Sequence, residues 1–209
     1  MRRRITGISA VATAALVLAA CAGDYQYVKS SEDKTYFKVP ARWTLYDESD
    51  VIDGLGVDLT ENERQTELEQ GWRVAFDAAP KPSLDHLGRA GADHPSGLAV
   101  VRNLAFEVAD IISTEALRNY FFDIDTALQG GTGELLEYEE LQLDGGFRGI
   151  HFVASLEMNG KRMTIDQTML LDQATTKLYA LIVSCSNVCY EDNRREIKSV
   201  VDSWTVRAQ

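Results

Sequence analysis

Two aspartate–histidine pairs have side chains whose types and spacing could do chemistry. Asp85 precedes His86 and Asp93 precedes His94, in a stretch rich in proline, glycine and aspartate. Imidazole and carboxylate groups both ligate zinc, so a loop that brought the pairs together could hold this metal. A spacing of eight residues between the histidines is not a recognised ligand spacing. His151 is far away, on a strand face that we expect to point outward. The sequence therefore predicts solvated loop histidines and no metal site.

The acidic segment from Glu134 to Asp144 is a second candidate. Its carboxylates could form a glycosidase pair or a calcium site, and Glu137 and Glu139 share one face of the predicted strand by alternation. Unpaired acids on an exposed strand also prevent edge-to-edge aggregation. We interpret the segment as a solvated edge strand. A contact surface for a basic partner and a metal or catalytic site are the alternatives.

Catalytic and phosphate-binding motifs give little support to an enzyme. The segment Gly130-Gly-Thr-Gly133 lacks the preceding strand, following helix and lysine of a phosphate loop, so we interpret it as a helix-to-strand connection. Neither a Gly-x-Ser-x-Gly elbow nor a His-Glu-x-x-His motif occurs in the chain. The sequence thus predicts a protein without a catalytic site or a cofactor.

The beginning of the chain is typical of an export signal. Met1–Arg4 is basic, and the apolar segment from residue 5 to 20 is shorter than the roughly 20 residues of a membrane-spanning helix. Leu18-Ala-Ala-Cys21 resembles the lipobox of bacterial lipoproteins, in which the cysteine receives diacylglycerol. An ordinary signal peptide with a chance cysteine is the alternative. We expect cleavage before Cys21, lipidation of its thiol, and attachment to the extracytoplasmic face of the cell membrane.

Export changes the interpretation of Cys185 and Cys189. Outside the reducing cytosol, two cysteines so close in sequence are by default a disulfide. A redox-active pair usually has two intervening residues, whereas this pair has three. A structural zinc site needs four ligands, and no other cysteine is available once Cys21 carries lipid. A structural disulfide is therefore predicted, with the redox pair and a two-thiolate metal site as alternatives.

The charge balance limits the partners. The 209 residues include 21 lysines and arginines against 32 aspartates and glutamates, and the formal net charge is −11. Such an acidic protein is a poor ligand for nucleic acid or for a bare anionic membrane. The acyl chains would have to hold it at the bilayer, and two chains anchor stably where one binds marginally. The sequence does not indicate an oligomeric state.

Hydrophobic periodicity predicts hairpins and a meander around two main helices. Thr60-Glu-Asn-Glu63 has the form of a capping box, and Asn159-Gly160 is a strong hairpin signal. The expected domain organisation is a signal peptide at 1–20, a lipidated N-terminus and flexible tether at 21–35, and one domain at 36–209. Within the domain we expect helices at 113–122 and 190–202, a meander of strands at 134–143, 148–158, 163–171 and 178–183, and a closing strand at 203–206. This order favours an α+β fold with a mostly antiparallel sheet flanked by helices.

Two segments carry a resemblance to a known fold group. The opening Phe37-Lys-Val-Pro-Ala-Arg-Trp-Thr44, the meander, and the ending Ile197-Lys-Ser-Val-Val-Asp-Ser-Trp-Thr-Val206 resemble the PsbP/Mog1-like group, an α/β/α sandwich. The lipobox and the Cys-x-x-x-Cys before the last helix are similar to LpqN-type lipoproteins of actinobacteria. The resemblance covers Tyr36 to Val206 and includes fold motifs only. It implies a non-catalytic accessory subunit or adaptor for a larger protein, associated with cell-envelope transport and assembly.

Two functions follow as expectations. The first is a lipid-anchored, non-catalytic adaptor or accessory subunit for a cell-envelope protein. The second is a carrier or binder of envelope lipids or other apolar small molecules, which requires a cavity between sheet and helices. Large residues such as Phe152, Tyr179, Leu181 and Trp204 on the predicted faces favour close packing over a cavity.

Overall fold

The computed structural model describes residues 23–54, 59–109 and 112–208. Hydrogen-bonded strands form two antiparallel sheets, one of three strands and one of seven. The strands are β1 (Tyr25–Ser30), β2 (Thr35–Pro40), β3 (Thr44–Tyr46), β4 (Gly71–Asp77), β5 (Ser96–Asn103), β6 (Gly133–Leu143), β7 (Phe147–Met158), β8 (Lys161–Leu171), β9 (Lys177–Ser186) and β10 (Thr205–Val206). The helices are α1 (Glu48–Asp53), α2 (Glu61–Glu69), α3 (Phe106–Ala109), α4 (Thr114–Arg118), α5 (Ile124–Gln129) and α6 (Asn187–Val201). None of the helices among these residues is long and apolar enough to cross a bilayer.

The large sheet has the order β3-β4-β5-β9-β8-β7-β6, so the apolar strand β9 lies at its centre and β6 at one edge. Nearly every residue of β9 is buried, because both faces of the sheet are covered. This confirms the predicted central strand and the predicted α+β class. The Asn159-Gly160 turn is also confirmed: both residues have positive φ, as a two-residue hairpin loop requires.

One face of the large sheet is covered by α6 and the small sheet. Ile197 and Val200 of α6 pack with Val183 of β9, while Phe37 of β2 contacts Phe76 of β4 with ring centroids 5.9 Å apart. We call this the α6 face. The opposite face is covered by α4 and α5, with the side chains of Leu117 and Ile124 buried against β7 and β8. Burying both faces gives the layered core that apolar alternation in the strands predicts.

The predicted tether at 21–35 is wrong from Tyr25 onward. Residues Tyr25–Ser30 form β1, which pairs with β2 over its whole length. The following turn is fixed by Asp33, a buried carboxylate that accepts hydrogen bonds from Ser30 Oγ at 2.7 Å and Lys177 Nζ at 2.6 Å. Folded structure therefore extends back at least to Tyr25 and does not begin at Tyr36. The predicted signal peptide at 1–20 and Cys21 lie outside the described residues.

The predicted helix at 113–122 is shorter than expected. Ser113 caps α4, but the helix ends at Arg118 and Asn119 is its C-cap. The side chains of Arg118 and Asn119 both donate to the carboxylate of Asp125, through Nε and Nδ2 respectively, each at 2.7 Å. These bonds hold the chain in a bend, after which α5 begins at Ile124.

Candidate functional site

Strand β6 is the long free edge of the large sheet. It has eleven residues, pairs with β7 on one side, and has no partner strand on the other side within the described residues. In an antiparallel edge strand, about half of the backbone N–H and C=O groups point away from the sheet. Such unpaired groups can accept another extended chain. The prediction of an exposed edge strand at 134–143 is confirmed.

The side chains of β6 combine charge with exposed apolar surface. Glu137 and Glu139 lie on the α6 face, opposite Val153 and His151 of β7. On the other face, Tyr138 is 40% exposed, and Arg118 lies over its ring with the guanidinium carbon 5.9 Å from the ring centroid. The remaining exposed members of the strand and its turn are Glu134, Leu136, Glu140, Gln142, Leu143 and Asp144.

A β-bulge interrupts the pairing of β6 with β7 between Leu135 and Glu137. A bulge twists an edge strand and, like exposed charge, discourages two sheet edges from joining. A second copy of β6 would also bring acids against acids. Pairing between the β6 strands of two molecules is therefore disfavoured. The same charges favour pairing with a strand that carries basic residues.

Beside this edge, the α6 face holds a buried polar cluster of His151, Asp166 and Tyr190. His151 Nε2 donates to Asp166 Oδ1 at 2.9 Å, and the Tyr190 hydroxyl donates to Asp166 Oδ2 at 2.8 Å. The side chain of Asp166 is 7% exposed and that of His151 is 22% exposed. The expectation that His151 points outward is wrong, because α6 covers most of that face.

The cluster is electrostatically coupled to the acidic edge. The hydrogen bond to Asp166 raises the pKa of His151 above its usual value, and the nearby charges of Glu137 and Glu139 act in the same direction. Burial is the main cause that raises the pKa of Tyr190, with Asp166 as the next contribution, so its hydroxyl stays protonated and donates. His151 thus sits between a buried carboxylate and the acids of β6, and both favour its charged form.

Helix α6 is held over this cluster by its first turn. Asn187 accepts a hydrogen bond from Thr164 of β8 at 3.1 Å and donates one to Ser155 of β7 at 2.8 Å. Cys185 at the end of β9 is joined to Cys189 in the first turn of α6 by a disulfide, with Cα atoms 5.9 Å apart. The predicted pair is thus at bonding distance and connects the central strand to the helix.

The His151–Asp166 pair resembles the general base of a catalytic site, but no nucleophilic hydroxyl or thiol of the described residues is hydrogen-bonded to its imidazole. None of the hydrogen bonds in the described part of the chain joins His151 to a serine, threonine or cysteine. A nucleophile activated by histidine would need such a contact. The arrangement is therefore suited to orient α6 and to hold charge beside β6.

The two loop histidines occupy different surroundings. His86 is partly buried, and its Nδ1 donates to the buried carboxylate of Asp77 at 2.7 Å; it is not the solvated side chain that the sequence predicts. His94 is exposed, as predicted. Both line one surface pocket, but no group of three or more His, Cys, Asp or Glu residues among residues 23–54, 59–109 and 112–208 could hold a metal ion.

The glycine segment 130–133 links α5 to β6, which is the helix-to-strand connection expected from its sequence. Gly131 has a φ of +72°, so it makes the turn out of the helix. Phosphate chemistry receives no support from this segment, since the helix precedes it and the strand follows it.

Comparison with known proteins identifies the fold. Cyanobacterial PsbP (CyanoP) from Synechocystis sp. PCC 6803 superposes with a TM-score of 0.54, over 91% of this chain and 99% of that one, at 13% sequence identity. The fold is PsbP-like. No known family profile matches the sequence, and no curated protein is similar to it in sequence.

Two further solved structures resemble the PsbP-like domain less closely. LpqN, which is involved in cell envelope biogenesis of Mycobacterium tuberculosis, has a TM-score of 0.48 at 13% identity, covering 88% of this chain and 92% of its own. The Ran-binding protein Mog1p of Saccharomyces cerevisiae has a TM-score of 0.46 at 10% identity, covering 88% and 96%. At a sequence identity of 13%, the structural similarity to CyanoP establishes the fold of this chain and nothing about its function.

Sequence reasoning missed the cluster around Asp166. A signal was present, because the polar residues Thr164, Asp166 and Thr168 occupy alternate positions along β8. Alternation places these three on one face. It does not reveal that a helix bearing Tyr190 would bury that face and supply a hydrogen-bond partner.

Proposed function

We propose that this protein is a lipid-anchored, non-catalytic adaptor of the cell envelope, and that β6 binds an extended basic segment of a partner protein. The observation that carries the proposal is the long unpartnered edge of β6. An added strand would gain main-chain hydrogen bonds along this edge, and the alternate side chains would set specificity.

Charge complementarity defines the class of partner. Glu134, Glu139 and Glu140 are exposed and form no salt bridge within the described residues, whereas Glu137 is 3.2 Å from Arg194 of α6. The basic side chains of a segment that alternates lysine or arginine with apolar residues would meet Glu134 and Glu139 on the α6 face, and its apolar side chains would contact Tyr138 on the other face. Such charge pairs speed association and select the partner more than they add affinity.

The location in the envelope is part of the proposal. It is supported by the lipobox-like Leu18-Ala-Ala-Cys21 and by the Cys185–Cys189 disulfide, which fits an oxidising compartment. Attachment at Cys21 would hold the adaptor at the extracytoplasmic membrane surface, where its partner would also lie.

The alternative, a carrier of apolar molecules, receives less support from the cavities. A pocket with a mainly apolar lining lies on the α4–α5 face; it has a volume of about 180 Å³ and is lined by Leu87, Leu98, Phe121 and Phe122, among others. Sites for drug-sized ligands usually measure about 300–1,000 Å³. The volume fits one side chain of a partner better than an envelope lipid.

Photo-cross-linking in the native envelope tests the proposal. A benzoylphenylalanine placed at Glu140 is expected to capture a partner, and mass spectrometry of the cross-link should identify a basic, alternating segment. The same group placed at Tyr27, which is exposed on β1, is the matched control and should not capture that segment.

Charge reversal supplies the second half of the experiment. Glu139→Lys with Glu134→Lys should abolish the cross-link from position 140, whereas Glu61→Lys with Glu107→Lys on α2 and α3 should leave it intact. Capture of an acidic or helical segment, or equal capture by both charge variants, would refute binding at β6.

A further inference from the structure

The first residues that the structure describes, from Gly23 onward, and a basic pocket lie at the same end of the large sheet. The backbone oxygen of Asp24 accepts from Ala41 N at 2.9 Å, and Thr44, shortly after, pairs with Asp77 at the end of β4. Asp77 in turn holds His86. The chain therefore enters the domain at the same end of the sheet as the loop from residue 78 to 95. We call this the entry end.

The pocket at the entry end lies between this loop and the β7–β8 hairpin. It has a volume of about 310 Å³, and its charged or ionisable lining residues are His86, Arg89, Asp93, His94 and Lys161. In a chain with a net charge of −11, this is a local excess of basic groups. Neither Arg89 nor Lys161 forms a salt bridge within the described residues, so both cations are available to a ligand.

The pocket is held in shape by specific contacts. Asp77, 1% exposed, accepts from Ser83 N at 2.8 Å as well as from His86, which fixes the ring. Ser186 N donates to Ala92 O at 2.8 Å and ties the loop to the end of β9. Gly91 has a φ of +77° and packs directly against the Lys161 stem, where a Cβ would collide.

Exposed apolar side chains surround the same end. Val188 in the first turn of α6 is 73% exposed, and Met158 beside the β7–β8 hairpin is 37% exposed. Basic groups beside exposed apolar side chains are typical of surfaces that enter the headgroup region of a bilayer. The acidic remainder of the molecule would be repelled by anionic lipids, whereas the cations of the pocket would be attracted to them.

We propose that the basic pocket at the entry end binds the phosphate of an anionic phospholipid headgroup and so fixes the orientation of the domain on the membrane. This inference rests on the proposed lipid anchor. Cys21 is two residues before Gly23, and two residues span at most about 7 Å. With β1 starting at Tyr25, an anchored domain would have its entry end against the headgroups.

Histidine NMR tests the pocket directly, because the chain contains only three histidines. The full chain, labelled with ¹³C-histidine and held in uncharged dodecyl maltoside, is titrated with dihexanoyl phosphatidylglycerol. The His86 and His94 signals should shift and saturate, and the His151 signal should not move. Arg89→Gln with Lys161→Gln should weaken binding at least about tenfold, since both charge-assisted contacts are lost.

Three controls make the result decisive. Lys29→Gln with Arg102→Gln removes two cations outside the pocket, one in β1 and one in β5, and should leave binding unchanged. Zwitterionic dihexanoyl phosphatidylcholine and inorganic phosphate should bind at least about tenfold more weakly than the anionic lipid. Equal binding of inorganic phosphate, equal binding of the zwitterionic lipid, or no shift of His86 and His94 would each overturn the proposal. The titration uses a dissolved ligand, so it fails or succeeds independently of lipidation at Cys21 and of partner binding at β6.

Discussion

At the residue scale, Asp166 explains how a polar cluster can lie inside an apolar layer. Its two carboxylate oxygens have different donors, Tyr190 and His151, so the buried charge is compensated. Removing one donor from such a group costs more than the hydrogen bond itself contributes, since a buried acceptor is left unsatisfied. We therefore expect the cluster to stabilise α6 on the sheet and to depend on pH.

Replacing His151 by glutamine should lower the free energy of unfolding by about 1.5–3 kcal/mol in mild acid, the range for a hydrogen bond to a charged group. The pKa of His151 is raised in the folded state from its usual 6.5. Its charged form therefore contributes fully below this value, and the contribution is lost as the pH rises through the raised pKa.

Urea unfolding at about pH 5.5 and about pH 8.5 checks this sign. The difference between wild type and His151→Gln should be larger in acid, and His94→Gln at an exposed position should show no such trend. A difference that grew toward alkaline pH would contradict the role assigned to the His151–Asp166 pair.

At the element scale, the position of α6 follows from local chemistry at its first turn. Ser186 caps the helix through Cys189 N at 3.3 Å, and Asn187 bonds two strands. The disulfide from Cys185 fixes the same turn to β9. Covering the α6 face thus depends on a local cap and disulfide together with the bonds of Asn187 to β7 and β8.

Cys185→Ala with Cys189→Ala should lower the free energy of unfolding by about 2 kcal/mol, the chain-entropy value for so short a loop. Thermal or urea unfolding measures the change, and the wild-type protein with reductant is the matched control. Hydrogen exchange should show that the first turn of α6 opens before β9. An unchanged stability in both samples would show that the hydrogen bonds alone hold this turn.

Elements whose signals are local were predicted from the sequence, and elements made by distant contacts were not. The capping box of Thr60 and Glu63 forms as predicted, with Glu63 Oε2 accepting from Thr60 N at 2.8 Å. Strand β1 was missed because only Val28 and Ser30 are buried in it, and its pairing with β2 gives it its structure. The alternation of side chains along β7 likewise assigns each residue to one of two faces. It does not predict that α6 packs over the face that carries His151.

At the scale of the whole molecule, the proposed contacts lie on different surfaces. The entry end carries the start of the domain and the basic pocket, while β6 runs along the side of the sheet for about 35 Å. A domain standing on its entry end would hold β6 upright, with Gly133 nearest the membrane and Leu143 farthest from it, so that the outer side of the strand stays free to take an extended segment. Anchoring and partner binding would then not compete.

Metabolic labelling with an alkyne fatty acid tests the anchor. The wild-type protein expressed in a bacterium should incorporate the label, and Cys21→Ala should not, because the acceptor thiol is absent. Cys185→Ala with Cys189→Ala serves as the matched control and should be labelled like wild type. Label that persists in Cys21→Ala would place the modification elsewhere and remove the support for a lipobox.

Amide hydrogen exchange along β6 is the most direct test of the central claim. An eleven-residue peptide of alternating lysine and valine should slow exchange of the β6 amides that face away from β7 by at least about tenfold, which corresponds to about 1.4 kcal/mol. A glutamate–valine peptide should have no effect. Unchanged exchange in β6 with the basic peptide, or protection by both peptides, would contradict strand addition at this edge.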